Sequence, residues 1–246
     1  MITAIKATVK ERPIIFSADS VRLIKAGLKT QTRRVVKPQP IWLADNLWFG
    51  QSDDPDIDEV PNRRWWVAYD VFYDDYSGGN EAGYVQWRGR NPYGEKGDYL
   101  WVKENAYISQ PNFCSQADAT HPDGRVVGYA ADMGWDAVRC ATDYGVKLTP
   151  CIFMPRWASR FQLQITEIKI NRLLDITNTD AEAEGITQHR HENSLKLDIY
   201  NECYSHEWDN RTSRENYLWI WNRLNAKRGF PAESNPWVWV VTFEKR

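Results

Sequence analysis

The stretch AGLKTQTRR, residues 26–34, places a lysine, two threonines and two arginines behind a segment patterned as a short helix. The amine of Lys29, the hydroxyl of Thr32 and the guanidinium groups of Arg33 and Arg34 are groups that meet a polar, anionic ligand. The same residues also suit a solvated turn, since cations complement a helix C-terminus and threonines favour strands. A second stretch, MPRWASR at 154–160, sets Arg156, Ser159 and Arg160 around Trp157, which suits phosphate pairing and base stacking. A tryptophan packed in the core beside surface arginines is the alternative there. In WVKE, Lys103 and Glu104 are adjacent on a strand and face opposite ways. Glu104 can bond an amine edge or pair with one of the arginines.

Metal chemistry finds little support. Cys114, Cys140, Cys151 and Cys203 form no C-x-x-C pair and read as reduced thiols. Cys203 and His206 make half a ligand set without a second half. His189 and His191 are two residues apart with no third ligand, and SDDPDIDE at 52–59 lacks the glycine and spacing of a calcium loop. No metal and no cofactor are expected.

The elements that must carry these residues are legible in part. PIIFS at 13–17 reads as a short buried strand, with Ser17 capping a helix that buries Val21 and Ile24 and ends at Gly27. Lys29 to Lys37 reads as a strand stopped by Pro38 and Pro40. From about 38 to 95 the pattern dissolves into an insertion carrying a hairpin or two. It includes an acidic loop at 53–59 and a turn at Gly78-Gly79. Gly97-Asp98 turns into a strand with Leu100 and Val102 on one face. A second irregular stretch, 108–150, contains a hairpin turn at HPDG. In FQLQITEIKINRL, Phe161, Leu163 and Ile165 share one parity and Ile168 and Ile170 the other, which predicts a β-bulge. Thr179 to Glu182 reads as a capping box for a short helix closed by Gly185. Thr212 to Glu215 reads as another, opening a helix that presents Tyr217, Ile220, Trp221 and Leu224 before Gly229. NPWVWVVTFEK reads as a closing strand.

The 246 residues suffice for one domain with a sizeable core, read as a single unit over 1–246. No apolar run approaches the roughly 20 residues that span a bilayer. The segment MITAIKATVKERP lacks an apolar stretch and a cleavage site, so a cytoplasmic protein is the expectation. The net charge of −2 confines any nucleic-acid contact to a local basic patch. The 13 tryptophans serve mostly as large packing rings, with a few available for stacking.

The order helix, Gly27, Lys29, strand, Arg34 resembles the ASCH family, whose hallmark is G-x-K with an arginine five residues after the lysine. Further blocks recur in the family's order: GDYLWVKE at 97–104, MPRWASR at 154–160, LLDIT and DAEAEGI within 173–186, and NPWVWVVTF at 235–243. The whole chain is similar to the larger ASCH proteins of phage and prophage genomes. The resemblance implies an α+β, PUA-like β-barrel with short helices and two long insertions, and a bacterial cytoplasm as the location if the chain is phage-encoded. It also implies that MPRWASR lies at the rim of the pocket formed by the first stretch. Small bacterial members of the superfamily deacetylate N4-acetylcytidine with a lysine, a threonine three residues later and a late glutamate. Their counterparts here are Lys29, Thr32 and Glu184, with Glu182 the other glutamate that aligns if the helix shifts. The chain departs from those enzymes in being more than twice as long.

That resemblance implies a metal-independent amide hydrolysis. Thr32 is then the nucleophile, activated by a base. Lys29 is that base if burial or neighbouring cations lower its pKa from about 10.4, and Arg33 and Arg34 are the cations at hand. Glu184 protonates the leaving amine or positions water. Backbone N–H groups after Gly27, or an arginine, stabilise the oxyanion. On a regular strand, however, residues three apart face opposite ways, so Lys29 and Thr32 converge only if Lys29 belongs to the turn. Two readings follow. One is an amidohydrolase acting on an acylated nucleobase, nucleoside or modified RNA. The other is a non-catalytic module that binds RNA or a modified base through Arg34, Arg156, Trp157 and Arg160.

Overall fold

The computed structural model describes residues 9–39, 91–109, 119–133, 143, 145–186 and 211–246, together with strand backbone at 48–52, 65–73 and 80–89. The architecture is mixed α+β. Its main sheet has five strands: β1 (Glu11–Ile15), β2 (Gln31–Val35), β6 (Tyr99–Lys103), β11 (Gln162–Arg172) and β12 (Trp237–Lys245). They lie in the order β1-β6-β11-β12-β2, with β1 parallel to β6 and the other pairs antiparallel. No ladder joins the two ends into a closed barrel among the described residues. The Arg34 guanidinium bridges them instead, donating from Nη2 to the Ile15 carbonyl at 2.6 Å.

Strand β12 is central because both of its faces are apolar. Trp237, Trp239, Val241 and Phe243 pack with Phe16, Val102, Leu163 and Ile165 on one side. Val238 and Val240 pack with Leu23, Ile176, Tyr217 and Trp221 on the other. Each such side chain contributes about 1.5–3 kcal/mol on burial. The parity switch in β11 is a register shift between Ile165 and Glu167, as expected. The first insertion carries β3 (Trp48–Ser52), β4 (Trp65–Tyr73) and β5 (Asn80–Gly89), paired antiparallel in that order, which is two hairpins. The second carries most of a four-stranded sheet, β10 (Leu148–Thr149), β7 (Ala106–Ser109), β9 (Val126–Tyr129) and β8 (Ala119–Thr120). Its HPDG turn is the hairpin between β8 and β9, closed by Gly124 N–H on His121 O at 2.8 Å.

Among the described residues, three α-helices pack on this frame: α1 (Ala18–Lys25), α2 (Asn178–Ala183) and α3 (Ser213–Asn225). Ser17 caps α1, and Thr212 with Glu215 forms the box that opens α3. The box of α2 lies two residues earlier than the sequence pattern suggests. Thr177 and Asp180 exchange both bonds, because an aspartate at the third helical position reaches back as a glutamate does. Glu182 instead accepts from Ser213 Oγ at 3.2 Å. Leu224 was expected on the buried face of α3 and is 58% exposed, so the apolar stripe ends at Trp221. Strand β2 begins at Gln31 and not at Lys29. Among the described residues, no helix is long and apolar enough to cross a membrane.

Candidate active site

Helix α1 ends at Gly27, whose φ of +75° reverses the chain. The amides of Leu28 and Lys29 both bond the Leu23 carbonyl, at 2.9 and 3.3 Å. Lys29 therefore belongs to the helix-to-strand turn, the condition set by strand parity for its meeting Thr32, and its amine turns to Glu184. The next amide, Thr30, donates to Ala183 O at 2.8 Å and docks the start of β2 on the end of α2. Gly185 makes that docking close, since a Cβ there would lie 2.8 Å from Leu23 Cδ1. The ends of α1 and α2 and the start of β2 thus meet at one place.

At that place the Lys29 amine donates to the Glu184 carboxylate and, at 3.0 Å, to the Glu184 carbonyl. Both side chains are almost fully buried. The structure brings Glu184, and not Glu182, to Lys29. Gln31 and Arg33 share the face of β2 that looks onto α2: Arg33 Nη2 lies 3.2 Å from Asp180 Oδ2, and Nη1 donates to Gln31 Oε1. Arg33 Nη1 is also 3.9 Å from Glu184 Oε1, and Tyr217 donates to that oxygen from α3 at 3.4 Å. Thr32 and Arg34 share the other parity. The Arg34 guanidinium lies 5.3 Å from the centre of the Phe16 ring, and the Lys29 amine 6.0 Å from the same ring. The Lys29 amine thus meets Glu184 and lies near the ring that Arg34 also faces. Thr32 is buried and paired in the ladder with Val241, and among the described residues its hydroxyl makes no hydrogen bond.

The electrostatics follow from this burial. Desolvation holds the Lys29 ammonium below its ordinary range, against the pull of Glu184, and Arg34 and Arg33 push the same way as burial. Burial, with the Glu184 charge beside it, raises the Tyr217 phenol well above 10, so it stands as a neutral donor. Burial alone would raise Asp180, but the Thr177 amide and Arg33 hold its carboxyl below the ordinary range. Among the described residues, Arg33 Nε and Arg34 Nε are buried without a hydrogen-bond partner. The amides of Leu28, Lys29 and Thr30 are already engaged, so of the two expected oxyanion stabilisers the arginines are the ones with free donors.

The second stretch sits apart from these contacts. Arg156 pairs with Glu11 at 2.9 Å, and Trp157 packs against His121 and under Arg125. Ser159 Oγ donates to the Val102 carbonyl at 2.8 Å. Arg160 forks onto Glu104, with Nε to Oε1 at 2.8 Å and Nη2 to Oε2 at 2.9 Å, and also reaches Asp132. Glu104 therefore does pair with an arginine, as one sequence reading has it. Cys151 is a free thiol, and among the described residues no group of His, Cys, Asp or Glu is placed to hold a metal ion. Cys114, Cys140, Cys203, His189, His191, His206, the acidic loop and the Gly78-Gly79 turn lie outside the described residues.

Sequence reasoning missed Asp180, Tyr217 and Phe16. Asp180 is disguised as a capping residue, and Tyr217 as one more ring in a helical stripe. Comparison with family models, with curated proteins and with solved structures finds no match to this chain.

Proposed function

We propose that the chain is an ASCH-type amidohydrolase of PUA-like descent, acting without a metal on an acylated nucleobase, nucleoside such as N4-acetylcytidine, or modified RNA. The observation that carries the reading is the buried Lys29 amine, hydrogen-bonded to Glu184, held below its ordinary pKa and set in the turn that leads to Thr32. A neutral amine takes the Thr32 proton as Oγ attacks the acyl carbon. This asks the Lys29 side chain to turn from Glu184 toward the strand. The tetrahedral oxygen is met by the Nε–H of Arg34, which shares the parity of Thr32. Collapse expels the amine, which takes the proton that Lys29 holds, and Glu184 stabilises that ammonium while it waits. Water then attacks the threonyl ester, with Lys29 or Glu184 accepting its proton, and the freed Thr32 hydroxyl is restored.

The binding-only reading draws on Arg34, Arg156, Trp157 and Arg160. Two of these arginines are engaged with Glu11 and Glu104, while Arg34 donates to the Ile15 carbonyl. Incubation with N4-acetylcytidine in EDTA, followed by chromatography, tests the first reading. Release of cytidine by the parent, abolished in folded Lys29→Ala and Thr32→Ala, is the expected result. A folded parent that releases none removes this substrate.

A further inference from the structure

We infer that Tyr217 is a positioning residue of the site, holding Oε1 of the Glu184 carboxylate on the side away from Lys29, so that the lysine meets Oε2 alone. The inference rests on the reading of Lys29 and Glu184 as working residues, and names a group that neither the spacing nor the family resemblance picks out.

Glu184 is anchored by little of its own element. It is the C-cap residue of a six-residue helix, where the backbone is about to reverse at Gly185. Three side chains from outside fix its carboxylate. Lys29 donates to Oε2, while Tyr217 at 3.4 Å and Arg33 at 3.9 Å address Oε1. Asp180 engages the Arg33 fork at 3.2 Å, which leaves Tyr217 as the uncharged donor to that oxygen.

Helix α3 is built to deliver the phenol. Its capping box sets the first turn, and its first residues are bolted onto α2 and the turn before it. Ser213 donates to Glu182, the Arg214 amide to Asn178 Oδ1 at 3.0 Å, and the Arg214 guanidinium to the carbonyls of Ile176 and Leu174, each at 2.9 Å. Tyr217 follows one turn later and is buried. A neutral phenol adds no charge to a pair already balanced, and it withdraws electron density from the carboxylate oxygen opposite Lys29. This favours a neutral lysine, because the carboxylate then holds the ammonium less strongly.

The test is Tyr217→Phe in the full chain, read by the NMR titration of the Lys29 side-chain amine, with Lys29→Met assigning the signal. The expected result is a Lys29 midpoint moved upward, with the acid limb of the kcat/KM profile on N4-acetylcytidine moving the same way and kcat reduced roughly tenfold. Ile220→Val, a packing change on the same buried face of α3, is expected to leave the midpoint in place. An unmoved or lowered midpoint in Tyr217→Phe, or an equal move in Ile220→Val, overturns the inference. A parent that does not turn over N4-acetylcytidine but whose Lys29 midpoint responds to Tyr217→Phe upholds the positioning role and removes the substrate assignment. Turnover with an unresponsive midpoint does the reverse.

Discussion

Glu104 and Glu184 are both buried carboxylates facing cations, yet they are held in opposite ways. Glu104, 1% exposed, takes both arms of the Arg160 fork at 2.8 and 2.9 Å, and Arg160 in turn lies over Tyr129 and reaches Asp132. The fork is planar, matched and closed, and Lys25 extends the network to α1 through Asp132 at 2.7 Å. Glu184 faces a lysine, which is a point charge on a flexible stem. Its second oxygen is met at longer range, and among the described residues the Nε donors of Arg33 and Arg34 have no hydrogen-bond partner. A closed bidentate pair resists proton movement. An open pair built on a lysine with a lowered pKa invites it.

Two substitutions should cross over if this contrast is right. Arg160→Met takes from Glu104 the two bonds its fork receives, and is expected to cost about 3–5 kcal/mol of stability in urea unfolding. Turnover of N4-acetylcytidine per folded molecule should remain near that of the parent. Lys29→Met is expected to do the opposite: turnover falls by about 10²–10⁴-fold, while stability falls by less than in Arg160→Met. The reason is that Arg33 and Tyr217 remain beside Glu184, and that methionine removes an amine whose burial disfavours its charge. Equal loss of stability in both variants, with no selective loss of turnover, would erase the distinction.

The same contrast shows how much could be read from sequence. The frame was legible wherever one chain segment encodes its own geometry: the Ser17 cap, Gly27, the bulge in β11, the HPDG hairpin and the alternating face of β12. These are local rules of period and turn chemistry. Lys29, Thr32 and Glu184 were legible only through a resemblance. The Lys29–Glu184 contact spans 155 positions, and no periodicity reports that separation. Tyr217 lies 33 positions from Glu184 and reads as core because its ring is core and only its hydroxyl is not. Serine, arginine and tryptophan in MPRWASR share a stretch but diverge in space, because a short 3-10 turn over Arg156–Ala158 breaks up the segment.

Gly185 offers a milder way to disturb the open pair without touching either charged group. Its φ is +87°, and a methyl there would stand 2.8 Å from Leu23 Cδ1. Gly185→Ala is expected to cost about 1–3 kcal/mol, from the left-handed backbone and the displaced Leu23 together. Since the residue follows Glu184 directly, turnover should fall further than the loss of folded protein accounts for. Comparison of urea midpoints with kcat per folded molecule separates the two effects. A stability loss with kcat unchanged would mean that the exact seat of α2 on α1 does not set the carboxylate.

The smallest effect lies in pH, where the two regions should act at opposite ends of the scale. Burial alone would raise Asp132, but Arg160 and Lys25 hold it below 3.8. Its contribution is therefore present above 3.8 and is lost as pH falls through the lower folded value. Lys29 is also lowered in the fold, from 10.5. Between its folded value and 10.5 the unfolded chain binds the extra proton, so stability gained through Lys29 rises with pH across that window and is complete above it. Urea unfolding of the parent and of Lys29→Met at successive pH values should show the two curves diverging in the alkaline range, the parent gaining on the variant, and running parallel in acid. Arg160→Met should show the converse, with a weakened acid limb and an unchanged alkaline one. Alkaline curves that stay parallel for parent and Lys29→Met would mean that Lys29 titrates alike in the folded and unfolded chains, and the pair at Glu184 would then be as inert as the one at Glu104.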